Sequence, residues 1–151
     1  MTPTEVFSIA NMIAMPMWVL MLFLSKWKIT RFLIDFKVIP LTLAFMYAIY
    51  IVQAIGVSGM MDFGSLTSVM TLFTEENAVL AGWIHYLAFD LLIGMWILDQ
   101  NKELKINQLV IATCLFLTLT LGPIGFLLFM IIKTIKQRQM KTRLMTNKNW
   151  Y

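Results

Sequence analysis

The chain alternates between long apolar runs and short polar breaks, and the length of the runs decides what they can be. Apolar positions dominate residues 6–24, 38–57, 78–98 and 108–132. A helix rises about 1.5 Å per residue, so roughly 20 such residues cross the ~30 Å hydrocarbon core of a bilayer. The pattern predicts four transmembrane helices at these runs. Residues 63–76 are more polar, yet Leu66, Val69, Met70 and Phe73 recur at helical spacing. That segment predicts a short interfacial or re-entrant helix between the second and third spans. The expected architecture is an all-α polytopic membrane helix bundle, domain 1–132, followed by a basic tail, 133–151.

Composition removes the soluble alternative. Hydrophobic residues make up 60% of the chain and mean hydropathy is +0.78, against roughly 45–50% apolar in soluble domains. A soluble fold of 151 residues has no interior large enough to hide that surface. The N-terminal run lacks a positive leading segment and continues to Leu24 without a small-residue cleavage site, so it reads as a span rather than a signal peptide. It also lacks the arginine-rich, amphipathic character of a transit peptide.

The net charge of +4 changes the picture little, because the basic residues gather in two places that membrane proteins commonly use. Lys26, Lys28, Arg31 and Lys37 follow the first run, and Lys133, Lys136, Arg138, Lys141, Arg143 and Lys148 fill the tail. The lipid bilayer is therefore the expected partner, and nucleic acid is not. Four crossings would put these two groups on opposite sides, with six basic residues each once Lys102 and Lys105 join the first. Orientation is left open. One cysteine, Cys114, and one histidine, His85, exclude intramolecular disulfides, CxxC chemistry and cysteine-rich zinc sites, and any metal site would have to be carboxylate-rich; no metal and no cofactor is expected.

Polar groups inside the apolar runs carry the candidate chemistry, since a charge near the bilayer centre costs at least ~2.5 kcal/mol and usually faces a protein interior or cavity. The stretch Gly82-Trp83-Ile84-His85-Tyr86-Leu87-Ala88-Phe89-Asp90 holds the histidine, an aspartate and aromatic rings. At ~100° per residue, Gly82, Trp83, Tyr86, Asp90 and Gly94 share one face, and His85, Phe89, Leu92 and Trp96 another about 140° away. His85 and Asp90 therefore cannot touch in a regular helix. Asn11 in the first run either bonds a neighbouring helix as packing glue or meets Asp90 or His85. In the fourth run Pro123 removes its own donor and frees the carbonyl of Leu119, which predicts a kink beside Gly122 and Gly125 that a helix or a flat ligand can approach closely.

These residues resemble a known family, the abscisic-acid-deficient-four-like membrane proteins, associated in plants with neoxanthin synthesis from violaxanthin. The resemblance rests on Gly82-Trp83-Ile84-His85-Tyr86-Leu87-Ala88-Phe89-Asp90-Leu91 with Gly94, and on Leu119-Thr120-Leu121-Gly122-Pro123-Ile124-Gly125-Phe126-Leu127-Leu128. Weaker agreement lies around Asn11 and Trp18, in Lys28-Ile29-Thr30-Arg31 and in Phe63-Gly64-Ser65-Leu66. The resemblance implies a carotenoid or other isoprenoid lipid as substrate and an isomerisation that opens a 5,6-epoxide and forms an allene. It implies His85 and Asp90 as acid and base, in unassigned order. Trp83, Tyr86, Phe89 and Trp96 would line a polyene slot. Asn11, Thr118 and Thr120 would orient ring hydroxyls, with Gly122 and Pro123 completing the binding site. The alternative is a non-catalytic protein that binds a carotenoid and presents it to pathway enzymes. The missing transit peptide and the polybasic tail point to a bacterial inner membrane.

Overall fold

The computed structural model describes residues 1–58 and 62–148. Among them are seven helices and no strand: α1 (Pro3–Phe23), α2 (Lys28–Asp35), α3 (Val38–Ser58), α4 (Leu66–Leu72), α5 (Glu76–Leu104), α6 (Gln108–Leu121) and α7 (Pro123–Lys148). Helices α1, α3 and α5 are long and apolar enough to cross a membrane. They coincide with the first three expected spans, although α5 outruns its expected end at residue 98. Its polar continuation, Asp99 to Leu104, keeps good helix formers and stays helical.

Helix α5 is the centre of the bundle and packs against α1, α3, α6 and α7. Ile84, Leu87, Leu91 and Met95 on it are fully buried. Helix α1 runs parallel to α5 along one side, with Phe7 beside Trp83 near the start of both, and seats Trp18 against Gly94, where a Cβ would come within 2.9 Å of the indole. Trp18 can be buried to 1% exposure only because that position has no side chain. Helix α3 closes another side with buried Leu43 and Ala54.

The basic connection after α1 contains a helix that charge alone did not reveal. In α2, Thr30 and Ile34 face inward while Ile29, Phe32 and Phe36 stay exposed, an amphipathic pattern suited to lying at an interface. The expected segment between the second and third spans also contains a helix. The seven residues of α4 have none buried, and Ser65 caps it by accepting from the Ser68 amide at 3.0 Å. Asp62 accepts from the Gly64 amide and the Ser68 hydroxyl, both at 2.7 Å, which holds its carboxyl below the ordinary 3.8.

Residues 108–132 differ from expectation. In place of one kinked helix, the chain stops at Leu121 and reverses at Gly122, which takes φ +46° and ψ −98°, and α7 then returns beside α6. The landmarks show the reversal: Leu119 stands beside Tyr86 and Gly122 beside Asp90, but Phe126 and Phe129 pack on Trp96 and Lys133 reaches Gln100. The hairpin closes because Gly125 lies directly on the backbone of Thr118 and Cys114, with no space for a Cβ. A proline-centred kink was the wrong reading. Proline needs no hydrogen-bond acceptor as the first residue of a new helix, and the glycine before it supplies the reversal.

The hairpin also decides at which end of the bundle the basic residues lie. With α6 and α7 both anchored at the C-terminal end of α5, all twelve lysines and arginines lie at that end of the bundle. The other end carries Glu5, Asp62, Glu75 and Glu76 and no basic residue. At the basic end Asp99 pairs with Lys102 at 2.9 Å, Lys37 at 3.5 Å and Arg31 at 3.8 Å, and Asp35 pairs with Lys102 at 3.7 Å.

Replacing Gly125 with alanine forces a methyl into backbone atoms, so Gly125→Ala should lower stability by about 3 kcal/mol, at the upper end of overpacking costs. Gly56→Ala, where nothing lies within 4 Å, should leave it unchanged or slightly raised. Thermal unfolding of the two purified variants in the same detergent measures the difference.

Candidate functional site

Asp90 stands half-way along α5. Its carboxylate faces the reversal between α6 and α7, and a Cβ on Gly122 would sit 3.3 Å from Oδ1 and 3.5 Å from Oδ2. Oδ2 is buried and has no hydrogen-bond partner among the described residues. Tyr86, one turn earlier, interacts with the carboxyl and donates its hydroxyl to the carbonyl of Leu119 at 2.9 Å. That is the carbonyl Pro123 was expected to free. Tyr86 thus serves as a side-chain cap for a helix that ends inside the bundle.

The same face continues toward the acidic end. Trp83 packs its ring 5.5 Å from Tyr86 and 5.3 Å from Phe7 of α1, and its Nε1 donates to Asn11 Oδ1 at 3.3 Å. Asn11 in turn donates to the carbonyl of Phe7 at 2.8 Å. Asn11 therefore joins α1 to α5 through Trp83, and its contact is with neither Asp90 nor His85. Phe7 and Trp83 form part of a cleft of about 400 Å³ between the first turns of α1 and α5, lined mainly by apolar side chains.

His85 lies on a different face. Its ring stacks on Phe89 at 4.5 Å and tilts against Tyr47 of α3 at 5.5 Å, and it remains exposed. The structure keeps His85 and Asp90 on opposite sides of α5's contacts, toward α3 and toward α6–α7, as their angular separation required. Trp96 is elsewhere again, between Phe126 and Phe129 with Lys133 4.8 Å above its ring. The four expected slot aromatics thus divide into Trp83 with Tyr86, Phe89 with His85, and Trp96 alone.

The two threonines do not point at a ligand. Thr118 is buried and donates to Cys114 O at 2.8 Å, and Thr120, exposed, donates to Phe116 O at 2.9 Å. Both hydroxyls are satisfied within their own helix, a common fate of threonine in apolar helices. Pro123 is exposed beyond the turn, while Gly122 is buried against Asp90. Phe7 was not singled out in the sequence, whereas Tyr47 belongs to a stripe with Leu43, Tyr50 and Ala54 that reads mainly as core packing. The pairing Gly125–Thr118 carried a signal in the two glycines flanking Pro123-Ile124.

The fold and this site define a helical membrane bundle with an ionisable group in its interior. A family model described as ABA DEFICIENT 4-like matches residues 5–129, and the chain belongs to that family. Neither the curated proteins nor the solved structures gave a match.

The cap on Leu119 yields a measurable cost. Tyr86→Phe keeps the ring packing and orphans one carbonyl, so it should destabilise the protein by about 1–3 kcal/mol. His85→Phe, which removes no hydrogen bond of the described residues, should cost less. Unfolding midpoints of both variants in one detergent decide the ranking.

Proposed function

We propose that this chain is an integral membrane protein of carotenoid or isoprenoid metabolism, and that Asp90 is the proton-transferring group of an intramolecular isomerase. One observation carries the reading: an acidic side chain half-way along the central helix, one oxygen buried without a hydrogen-bond partner, aimed at the glycine turn of a helical hairpin. A carboxyl with only a packing role would normally be paired with a cation or donors. No ion pair among the described residues reaches Asp90; all lie at the basic end.

In this reading the cleft at Phe7 and Trp83 receives an apolar end of the ligand, and the rest lies along the Trp83–Tyr86–Asp90 face. Opening an epoxide to an allene breaks a C–O bond, adds a proton to the oxygen and removes one from the neighbouring chain carbon. The two proton transfers balance, so no oxidant, reductant or cofactor is required. Asp90 with the Tyr86 hydroxyl can perform both at one place. His85 and Asp90 would need a ligand that passes around α5, which makes Tyr86 the better partner. The separation of His85 from Asp90 also favours the second reading, a protein that holds a carotenoid for pathway enzymes without reacting with it.

We further propose that α1, α3 and α5 cross the bilayer, that α4 lies at the far surface, and that the α6–α7 hairpin enters from the basic side and turns back at Gly122. By the positive-inside rule the basic end faces the cytoplasm of a bacterial inner membrane. With Cys114→Ala as background, Lys28→Cys and Lys141→Cys should then be blocked by a membrane-impermeant thiol reagent from the same side, and Thr67→Cys from the other. A four-crossing chain would instead separate Lys28→Cys from Lys141→Cys.

Expression in a carotenoid-producing host tests the chemistry. The wild type should shift the pigment profile toward an isomer of unchanged mass, Asp90→Asn should abolish the shift at equal protein level, and His85→Phe should retain most of it. A wild-type profile equal to empty vector removes the enzyme reading. Pigment that co-purifies with wild type and Asp90→Asn alike then supports the carrier.

A further inference from the structure

We infer that the basic end of the bundle contains a binding site for the phosphate-bearing headgroup of an anionic phospholipid, with an acyl chain continuing into a groove between α1 and α6. The observation is a pair of adjoining cavities of opposite character. The first, of about 520 Å³, is lined by Lys26, Arg31, Lys102 and Lys105 and by the polar ends of Asn101 and Gln108, with no carboxylate on its wall. The second, of about 460 Å³, is lined chiefly by apolar residues, among them Leu22, Phe23, Trp27, Leu109 and Ala112. The two share Ser25, Lys26 and Gln108. A water-soluble anion has use for the first cavity only, whereas a phospholipid matches both.

Charge accounting supports the assignment. Arg31 and Lys102 are partly neutralised from behind by Asp99 and Asp35. Lys26 and Lys105 form no ion pair among the described residues, so the recess keeps uncompensated positive charge where lipid phosphates lie. Phe23 and Leu109, 78% and 77% exposed, stand at the mouth of the apolar groove on the bundle's outer surface.

The backbone at Lys105 points the same way. This residue follows the last turn of α5 in the left-handed conformation, φ +49°, a position that favours glycine or asparagine. Asn101 clamps the turn by bonding both the amide and the carbonyl of Ile106, at 2.7 and 3.3 Å. A strained lysine on a clamped turn, facing a cationic recess, is expected where charge matters more than local stability. Gln108 donates to Ser25 Oγ at 3.3 Å and ties α6 to the end of α1 at the boundary between the cavities.

The test uses the full chain in a neutral detergent. Native mass spectrometry and thermal unfolding are compared with added phosphatidylglycerol, phosphatidylcholine or inorganic phosphate. Phosphatidylglycerol should be retained and raise the unfolding midpoint, and the other two should not. Lys26→Gln combined with Lys105→Gly should weaken phosphatidylglycerol binding by about tenfold or more, while relief of the left-handed strain keeps the lipid-free midpoint from falling on account of Lys105. Lys141→Gln with Arg143→Gln, in the tail, should leave binding unchanged. Ala112→Trp, which fills the groove without touching a charge, should also weaken retention. Equal retention of both lipids overturns the inference, as does equal loss in the tail variant. Protection by inorganic phosphate as strong as by phosphatidylglycerol assigns the recess to a free anion and overturns the lipid.

Discussion

A helix that ends inside an apolar bundle leaves carbonyls that water cannot reach, and each must find a donor or cost free energy. Helix α6 ends this way, half-way along α5. Three devices satisfy its end: the Gly122 amide bonds Thr118 O at 2.9 Å, Tyr86 donates to Leu119 O, and Gly122 O accepts from Gly125 and Phe126 as α7 begins. Pro123 contributes by asking for no acceptor at all. The conformation of Gly122 then fixes the return of α7, and with it both the gathering of basic residues at one end and the close approach of the turn to Asp90. An alanine-like residue at 122 would lose the backbone conformation and crowd the carboxylate together.

Much of this was legible in the sequence. Run length identified α1, α3 and α5, and helical periodicity separated the Trp83–Tyr86–Asp90 face from the His85–Phe89 face before any coordinates. Reading Pro123 gave the free Leu119 carbonyl correctly. What failed was the assumption that a proline in an apolar run bends a helix, because a reversal depends on the positive φ of Gly122 and on the contact of Gly125 with Thr118. Both are long-range or conformational facts that hydropathy does not encode. The unresolved distribution of basic residues was the available warning: a continuous fourth helix placed them badly, and a hairpin places them well.

The site residues were legible to a lesser degree for a related reason. Residue type marks which side chains are unusual in an apolar helix, but not what they are bonded to. Asn11 went to Trp83 because α1 runs parallel to α5 and the two residues stand at the same level. Thr118 and Thr120 bonded their own helix, which every threonine in such a setting can do. Of these candidates, Asp90 keeps a buried oxygen, Oδ2, without a hydrogen-bond partner.

Helix α6 connects the two places where polar chemistry survives. Its fourteen residues span about 21 Å at 1.5 Å per residue, from Gln108 at the basic recess to Leu121 beside the Asp90 turn. Single side-chain hydrogen bonds hold it near each end, Gln108 to Ser25 and Tyr86 to Leu119, and between them the contacts are apolar packing from Ile111, Cys114 and Leu115. Close-packed, interdigitated side chains resist sliding of a helix as well as its separation, so α6 acts as a rigid spacer between the recess and the Asp90 turn.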